Sequence, residues 1–105
     1  MKVYTVVLML PALEDLQRRA DKLVVFTESI EAVAAWQQRI GIAIEGLRTF
    51  PTGHATDPSM TEEFGVPIRR LIFERQYRVF FRVKEDISVV EVVAIQHGAR
   101  TGRNR

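Results

Sequence analysis

Arg69, Arg78, Arg82 and His97 are the residues of this chain whose types and spacing could do chemistry, with Glu91 as the one carboxylate set among them. A guanidinium grips a phosphate or a carboxylate through paired N–H donors. An imidazole gives or takes a proton near neutral pH. Such a patch suits nucleic acid, a phosphate group or an acidic protein partner, and it also suits a merely solvated face. The sequence leaves those four readings open.

Whether these side chains meet depends on the strands that carry them. Three runs, Ile68–Glu74, Tyr77–Lys84 and Ile87–Gln96, are rich in Ile, Val, Phe and Tyr, the residues that fit a pleated, half-buried surface. Their connections are short, which predicts antiparallel hairpins. Alternation places Tyr77, Val79, Phe81 and Val83 on one face and Arg78, Phe80, Arg82 and Lys84 on the other. An unpaired buried arginine is costly, so the Val79/Phe81 face should meet the core and the Arg78/Arg82 face water or a ligand. With Glu85-Asp86 as a two-residue turn, Phe81 stands opposite Val90, Val79 opposite Val92 and Phe80 opposite Glu91. With Arg75-Gln76 as another, Arg69, Leu71 and Phe73 join Arg78. The expected outer face then carries Arg69, Arg78, Arg82, Glu91 and His97 among Leu71, Phe73, Phe80, Val89 and Val93. A slip of one residue in either turn inverts the assignment.

The elements before the sheet must cover its other face. Lys2–Leu10 is hydrophobic nearly throughout, as in a strand covered on both sides. Pro11 opens a helix from about 11 to 24, with Leu13, Leu16, Ala20 and Leu23 as its stripe and Glu14 and Asp15 near its positive end. Val24-Val25-Phe26 can extend the helix or form a connector. Ser29 reads as the N-cap of a second helix reaching about Thr49, with Val33, Trp36, Ile40, Ile44 and Leu47 inward, and Phe50-Pro51 as its stop. Trp36 at that spacing is a core residue before it is a stacking platform. Pro51–Gly65 reads as a loop in which His54 is solvated and Asp57, Glu62 and Glu63 are too few to bind metal. Thr101–Arg105 reads as a basic tail.

At 105 residues without cysteine, the chain is expected to be a single domain, 1–105, with no disulfide frame, thiolate site, metal or other cofactor. No apolar run approaches the roughly 20 residues of a membrane span, so no membrane partner and a cytoplasmic protein are the defaults. The net charge of +2 hides an asymmetry: residues 1–65 hold six Lys/Arg and nine Asp/Glu, residues 66–105 nine and four. The expected fold is α+β: an N-terminal strand, an α-helical hairpin, then a three-stranded antiparallel meander, all in one sheet with the helices on one face.

That order, together with Arg69-Arg70-Leu71, Tyr77-Arg78-Val79-Phe80-Phe81-Arg82-Val83 and the closing His97-Gly98-Ala99-Arg100, resembles the RelE/ParE superfamily of toxins from type II toxin–antitoxin modules. Ser29-Ile30-Glu31-Ala32, Trp36 and Phe50-Pro51 match its helical hairpin more loosely. The resemblance implies a growth-inhibiting toxin held by a cognate antitoxin, in the ParE-like branch that includes plasmid stabilisation proteins. RelE-type members cut mRNA on the ribosome, and for that activity Arg69, Arg78, His97 and Arg100 fall at the positions of a catalytic site. ParE-type members poison DNA gyrase and are not enzymes. The RelE pattern wants an aromatic hydroxyl beyond the last strand, and no Tyr follows His97. The resemblance therefore implies a ParE-like gyrase inhibitor, with Arg69, Arg78, Arg82 and Arg100 as target-binding residues and Leu71, Phe73 and Phe80 as the antitoxin's landing site. The alternatives are a ribosome-dependent endoribonuclease and a non-toxic, degenerate binding module.

Overall fold

The structure, a computed structural model, describes residues 2–98. Strand β1 (Thr5–Leu8) leads into helix α1 (Leu10–Thr27) and helix α2 (Ile30–Glu45). Two short 3-10 turns, Gly46–Arg48 and Pro51–Gly53, and a third helix, α3 (Pro58–Phe64), follow. The chain closes with β2 (Arg69–Phe73), β3 (Tyr77–Lys84) and β4 (Val89–His97). The expected α+β architecture is present, with the sheet in the order β1-β4-β3-β2. The last three strands form an antiparallel meander, and β1 joins it parallel to β4, so the sheet is mixed.

Local chemistry sets the element ends. Pro11 occupies the first turn of α1, where its missing N–H costs nothing. Val24-Val25-Phe26 continues the helix, which ends where Glu28 turns left-handed at φ 57° and donates its N–H to the Val24 carbonyl. Ser29 caps α2 by accepting the Ala32 N–H at 3.0 Å. That helix ends at Glu45, short of the expected Thr49, and the chain tightens into a 3-10 turn before Phe50-Pro51. The tract expected to be loop holds α3. Asp57 accepts the Met60 N–H at 2.9 Å, Pro58 opens the helix, and Gly65 closes it at φ 74°, the combination that starts and stops a helix.

The core lies between the sheet and the α1/α2 pair. Ala12, Ala20, Val33, Trp36, Ile40 and Ile44 from the helices meet Tyr77, Val79, Phe81, Val90, Val92 and Ile95 from the strands. The buried positions of α1 are both alanines, which lets the helix lie close on β4. β1 is an edge strand whose residues alternate between exposed and half-buried, so the expected cover on both faces is absent.

Both turns are longer than expected, with different consequences. Between β2 and β3 the loop has three residues, Glu74 to Gln76, with Phe73 opposite Tyr77 and Glu74 and Arg75 at positive φ. That is a slip of one residue, and it turns β2 over: Arg69, Leu71 and Phe73 now share the face of Phe81, Val79 and Tyr77. Between β3 and β4, Lys84 pairs with Val89, Phe81 with Val92 and Arg82 with Glu91. This register differs from the expected one by two residues, so the faces survive. Further along, Phe80 pairs with Ala94 and Val79 with Ile95, leaving Val93 as an extra residue in β4. This bulge shifts the alternation. Ile95 and His97 are thereby brought to the helix side with Val90 and Val92, whereas Glu91 stays on the outer face.

Candidate functional site

The outer face of the sheet carries Arg78, Phe80, Arg82 and Lys84 from β3, Arg70 and Ile72 from β2, and Glu91 from β4. Arg70 takes the place expected for Arg69. Much of the charge is answered locally. Arg82 and Lys84 lie 3.4 and 3.6 Å from the Glu91 carboxylate, and Arg70 lies 3.5 Å from that of Asp57. Phe80 sits at the centre of this face and is buried.

Arg69 and His97 both leave the expected constellation. Arg69, turned to the helix side, donates from Nη1 to the His54 carbonyl at 2.6 Å. It stands opposite Phe81, while His97 stands opposite Tyr77, four residues or about 13 Å along β3. Arg100 lies outside the described residues. Leu71, Phe73 and Phe80 do not form an exposed apolar landing site: Phe73 and Phe80 are buried, and Leu71 packs against the core. The slip in the first hairpin accounts for Leu71 and Phe73, and Ile72 takes their place at the surface, half exposed.

A second cluster forms where α1 crosses the ends of β3 and β4. A cleft of about 240 Å³ is lined by Asp15, Arg18, Arg19, Lys22, Tyr77, Ile95 and His97. Arg19 donates from Nε to the Tyr77 hydroxyl at 3.0 Å, and its Nη2 lies 3.3 Å from His97 Nε2. Its guanidinium is 5.7 Å from the Tyr77 ring centre, and the Tyr77 and His97 rings are 4.8 Å apart. Asp15 accepts the Ile95 N–H at 2.8 Å and pairs with Arg18 at 3.0 Å. The first contact has a clear cause. β1 ends at Leu8 opposite Val92, so the β4 edge beyond it needs another acceptor, and α1 supplies one. Sequence reading missed Asp15, Arg18, Arg19, Lys22 and Tyr77 as a group. Arg19, Leu23 and Phe26 at helical spacing were visible, but the bulge that sends His97 to meet them was not.

At the other end of the sheet, Glu85 accepts from the Tyr4 hydroxyl at 2.7 Å and from Lys2 Nζ at 3.0 Å. Those two hydrogen bonds hold the Glu85 carboxyl below its usual range. The same bond to Glu85, with burial, raises the Tyr4 phenol. His54 is not the solvated residue expected of a loop. It is half-buried, edge-on to Phe81 with ring centres 5.7 Å apart. Burial, and then the Arg69 charge, hold its imidazole below the ordinary value of 6.5. Among the described residues no group of His, Asp or Glu could hold a metal, and no helix is long and apolar enough to cross a membrane.

Comparison with known proteins places this arrangement. A chain of the chromosomal ParDE toxin–antitoxin system from P. aeruginosa superposes with a TM-score of 0.71 at 23% identity, covering 91% of this chain and 97% of that one. A chain of the toxin–antitoxin complex RelBE2 from Mycobacterium tuberculosis superposes with a TM-score of 0.58 at 22% identity, covering 95% and 97%. At such identities the likeness is one of fold. No curated protein sequence matches the chain. The family model described as "ParE toxin of type II toxin-antitoxin system, parDE" matches residues 6–102, and with nearly its whole length inside that match the chain belongs to the ParE toxin family.

Proposed function

We propose that this ParE-family toxin arrests growth by binding DNA gyrase, and that a cognate antitoxin binds it and holds it inactive. The observation that carries the reading is the family match over residues 6–102. The geometry of the arginines supports its non-enzymatic form. In-line attack by a ribose hydroxyl needs cations and an acid–base pair gathered on one phosphate. Arg69 and Arg78 stand on opposite faces of the sheet and His97 at its far end, so the set proposed for an endoribonuclease does not converge among the described residues. The outer face serves as the target surface, with Arg70, Arg78 and Arg82 as its cations. Arg100 remains a target-binding residue on the resemblance alone.

A supercoiling assay with purified gyrase tests this. The toxin is expected to inhibit supercoiling or trap cleaved DNA, and addition of antitoxin should reverse the effect. Growth arrest in cells whose gyrase keeps full supercoiling activity would overturn the target, and codon-linked cuts in mapped transcripts would point instead to mRNA cleavage. Growth that is unaffected by strong induction without antitoxin would favour a degenerate binding module.

A further inference from the structure

Phe50 occupies a position that suits its residue type poorly. Among the described residues, five that are not glycine take a positive φ: Glu28, Phe50, Glu74, Arg75 and Ser88. The other four are polar or charged. Phe50 is aromatic, lies at φ 54° and ψ 47°, and is followed by Pro51. A bulky side chain in the left-handed region is strained, and a following proline presses the residue further toward extended backbone. Burial of the ring could offset such strain, but Phe50 is 75% exposed. Its ring lies against Gly53, where an added Cβ would stand 2.5 Å from the ring edge. Gly53 itself is not at positive φ, so that glycine makes room for the ring and not for the turn. A glycine at position 50 would hold the same backbone with less strain. A strained residue whose side chain is left in the open marks a surface kept for contact.

The ring walls a hollow of about 560 Å³ lined also by Lys2, Tyr4, Thr49 and Thr52. Charge there is already answered. Lys2 Nζ lies 3.0 Å from the Glu85 carboxylate and 5.1 Å from the Tyr4 ring centre, and the Tyr4 hydroxyl donates to that carboxylate at 2.7 Å. A phosphate or an acidic side chain would have to take Lys2 from Glu85. An apolar side chain would leave those bonds intact. An apolar contact rimmed by paired polar groups is the form of a protein–protein hot spot. The hollow also borders the outer face of the sheet. Thr49 bridges Val3, and Val7 stands opposite Glu91. Alternation therefore puts Val3 and Val7, both exposed, on the side of Arg82 and Lys84, and Glu85 directly follows Lys84.

Resting on the gyrase reading above, we propose that Phe50 is a docking anchor for the toxin's protein target. An apolar side chain of gyrase packs on the Phe50 ring and enters the hollow beside Tyr4, next to the cationic outer face. Gly53 is a positioning residue that sets where the ring lies.

The test is the toxin concentration that half-inhibits supercoiling by purified gyrase, read beside thermal melts. Phe50→Gly should raise that concentration about tenfold or more, while its melting midpoint stays at or above the parent's, because glycine accepts left-handed φ. Gly53→Ala keeps Phe50 but displaces its ring, and should also weaken inhibition. Phe50→Tyr keeps the ring and should inhibit as the parent does. So should Ile30→Ser, an exposed position at the far end of α2. If Phe50→Gly inhibits as strongly as the parent, the anchor is overturned and the gyrase reading stands. A midpoint well below the parent's would overturn it too, since the ring would then serve the fold. A parent chain that leaves supercoiling untouched removes the reading and the proposal together. If Phe50→Gly keeps its inhibition but loses affinity for antitoxin in calorimetry, or loses a self-association seen by sedimentation in the parent, the occupant is antitoxin or a second copy and the assignment to gyrase falls.

Discussion

Asp15 links two elements through one carboxylate. Its Oδ2 closes the β4 edge at Ile95, and its other oxygen holds Arg18 beside the cleft. Removing an acceptor from a part-buried N–H costs more than the bond's net worth, because the donor is left unpaired. Asp15→Ala is therefore expected to destabilise the chain by about 1–3 kcal/mol in urea unfolding, and Asp15→Asn, which keeps an acceptor, by less. His54 supplies a second test at this scale. Its folded-state pKa is lowered, so the unfolded chain takes up the proton first. The stability that a neutral His54 contributes is present above its ordinary value of 6.5 and is lost as pH falls from there toward the lower folded value. The urea midpoint should rise with pH across that window, and His54→Asn should flatten the rise.

Among the elements, α3 and the bulge in β4 make opposite demands on sequence reading. The signals for α3 were present in the sequence: Asp57 before Pro58, with Gly65 after Phe64. Their short span inside a polar tract hid them. Asp57→Ala should cost about 1 kcal/mol as a lost cap, with a small addition from Arg70, and a fall in the unfolding midpoint measures it. The bulge at Val93 left no such mark, since one valine beside another gives alternation nothing to count. The slip in the β2–β3 turn was equally silent, because Arg75-Gln76 fits a loop of two residues or three. These two events, and no error in identifying strands, moved Arg69, Leu71, Phe73 and His97 to the face opposite the one alternation assigned. Deleting Val93 should therefore remove the bulge and leave Ile95 opposite Val79 and His97 opposite Tyr77 by plain alternation. The expected change in stability is about 1 kcal/mol or less, with the Asp15–Ile95 and Arg19–His97 contacts kept. Urea unfolding and the His97 ring resonances against an Arg19→Gln reference would read both.

For the whole molecule, the strand–hairpin–meander order and the core from Val33 to Val92 were legible because periodicity and burial agree there. The candidate sites were only half legible, because they depend on which face each strand presents. The chain presents two unlike surfaces on opposite sides of the sheet: the cationic outer face of Arg70, Arg78 and Arg82, and the groove on the helix side around Arg19 and Phe26. The sheet and its core lie between them, so side-chain changes on one side should not reach the other. If gyrase meets the outer face, as proposed, and the antitoxin seats on the helix side, the two functions should separate. Phe26→Asp should still inhibit supercoiling, yet cells co-expressing antitoxin should no longer be rescued from it. The double variant Arg78→Ala/Arg82→Ala should do the reverse, sparing gyrase while holding antitoxin as the parent does. It leaves Glu91 paired with Lys84, so a large loss of fold is not expected, and a thermal melt verifies this. If each variant loses both properties while remaining folded, target and antitoxin share one surface, and neutralisation is direct competition. If they separate, the antitoxin acts either by wrapping from the helix side to the outer face or by bulk exclusion of gyrase. A truncated antitoxin carrying only an acidic amphipathic segment tests both against direct competition: under wrapping or exclusion it binds the toxin without restoring supercoiling, whereas restored supercoiling would overturn them.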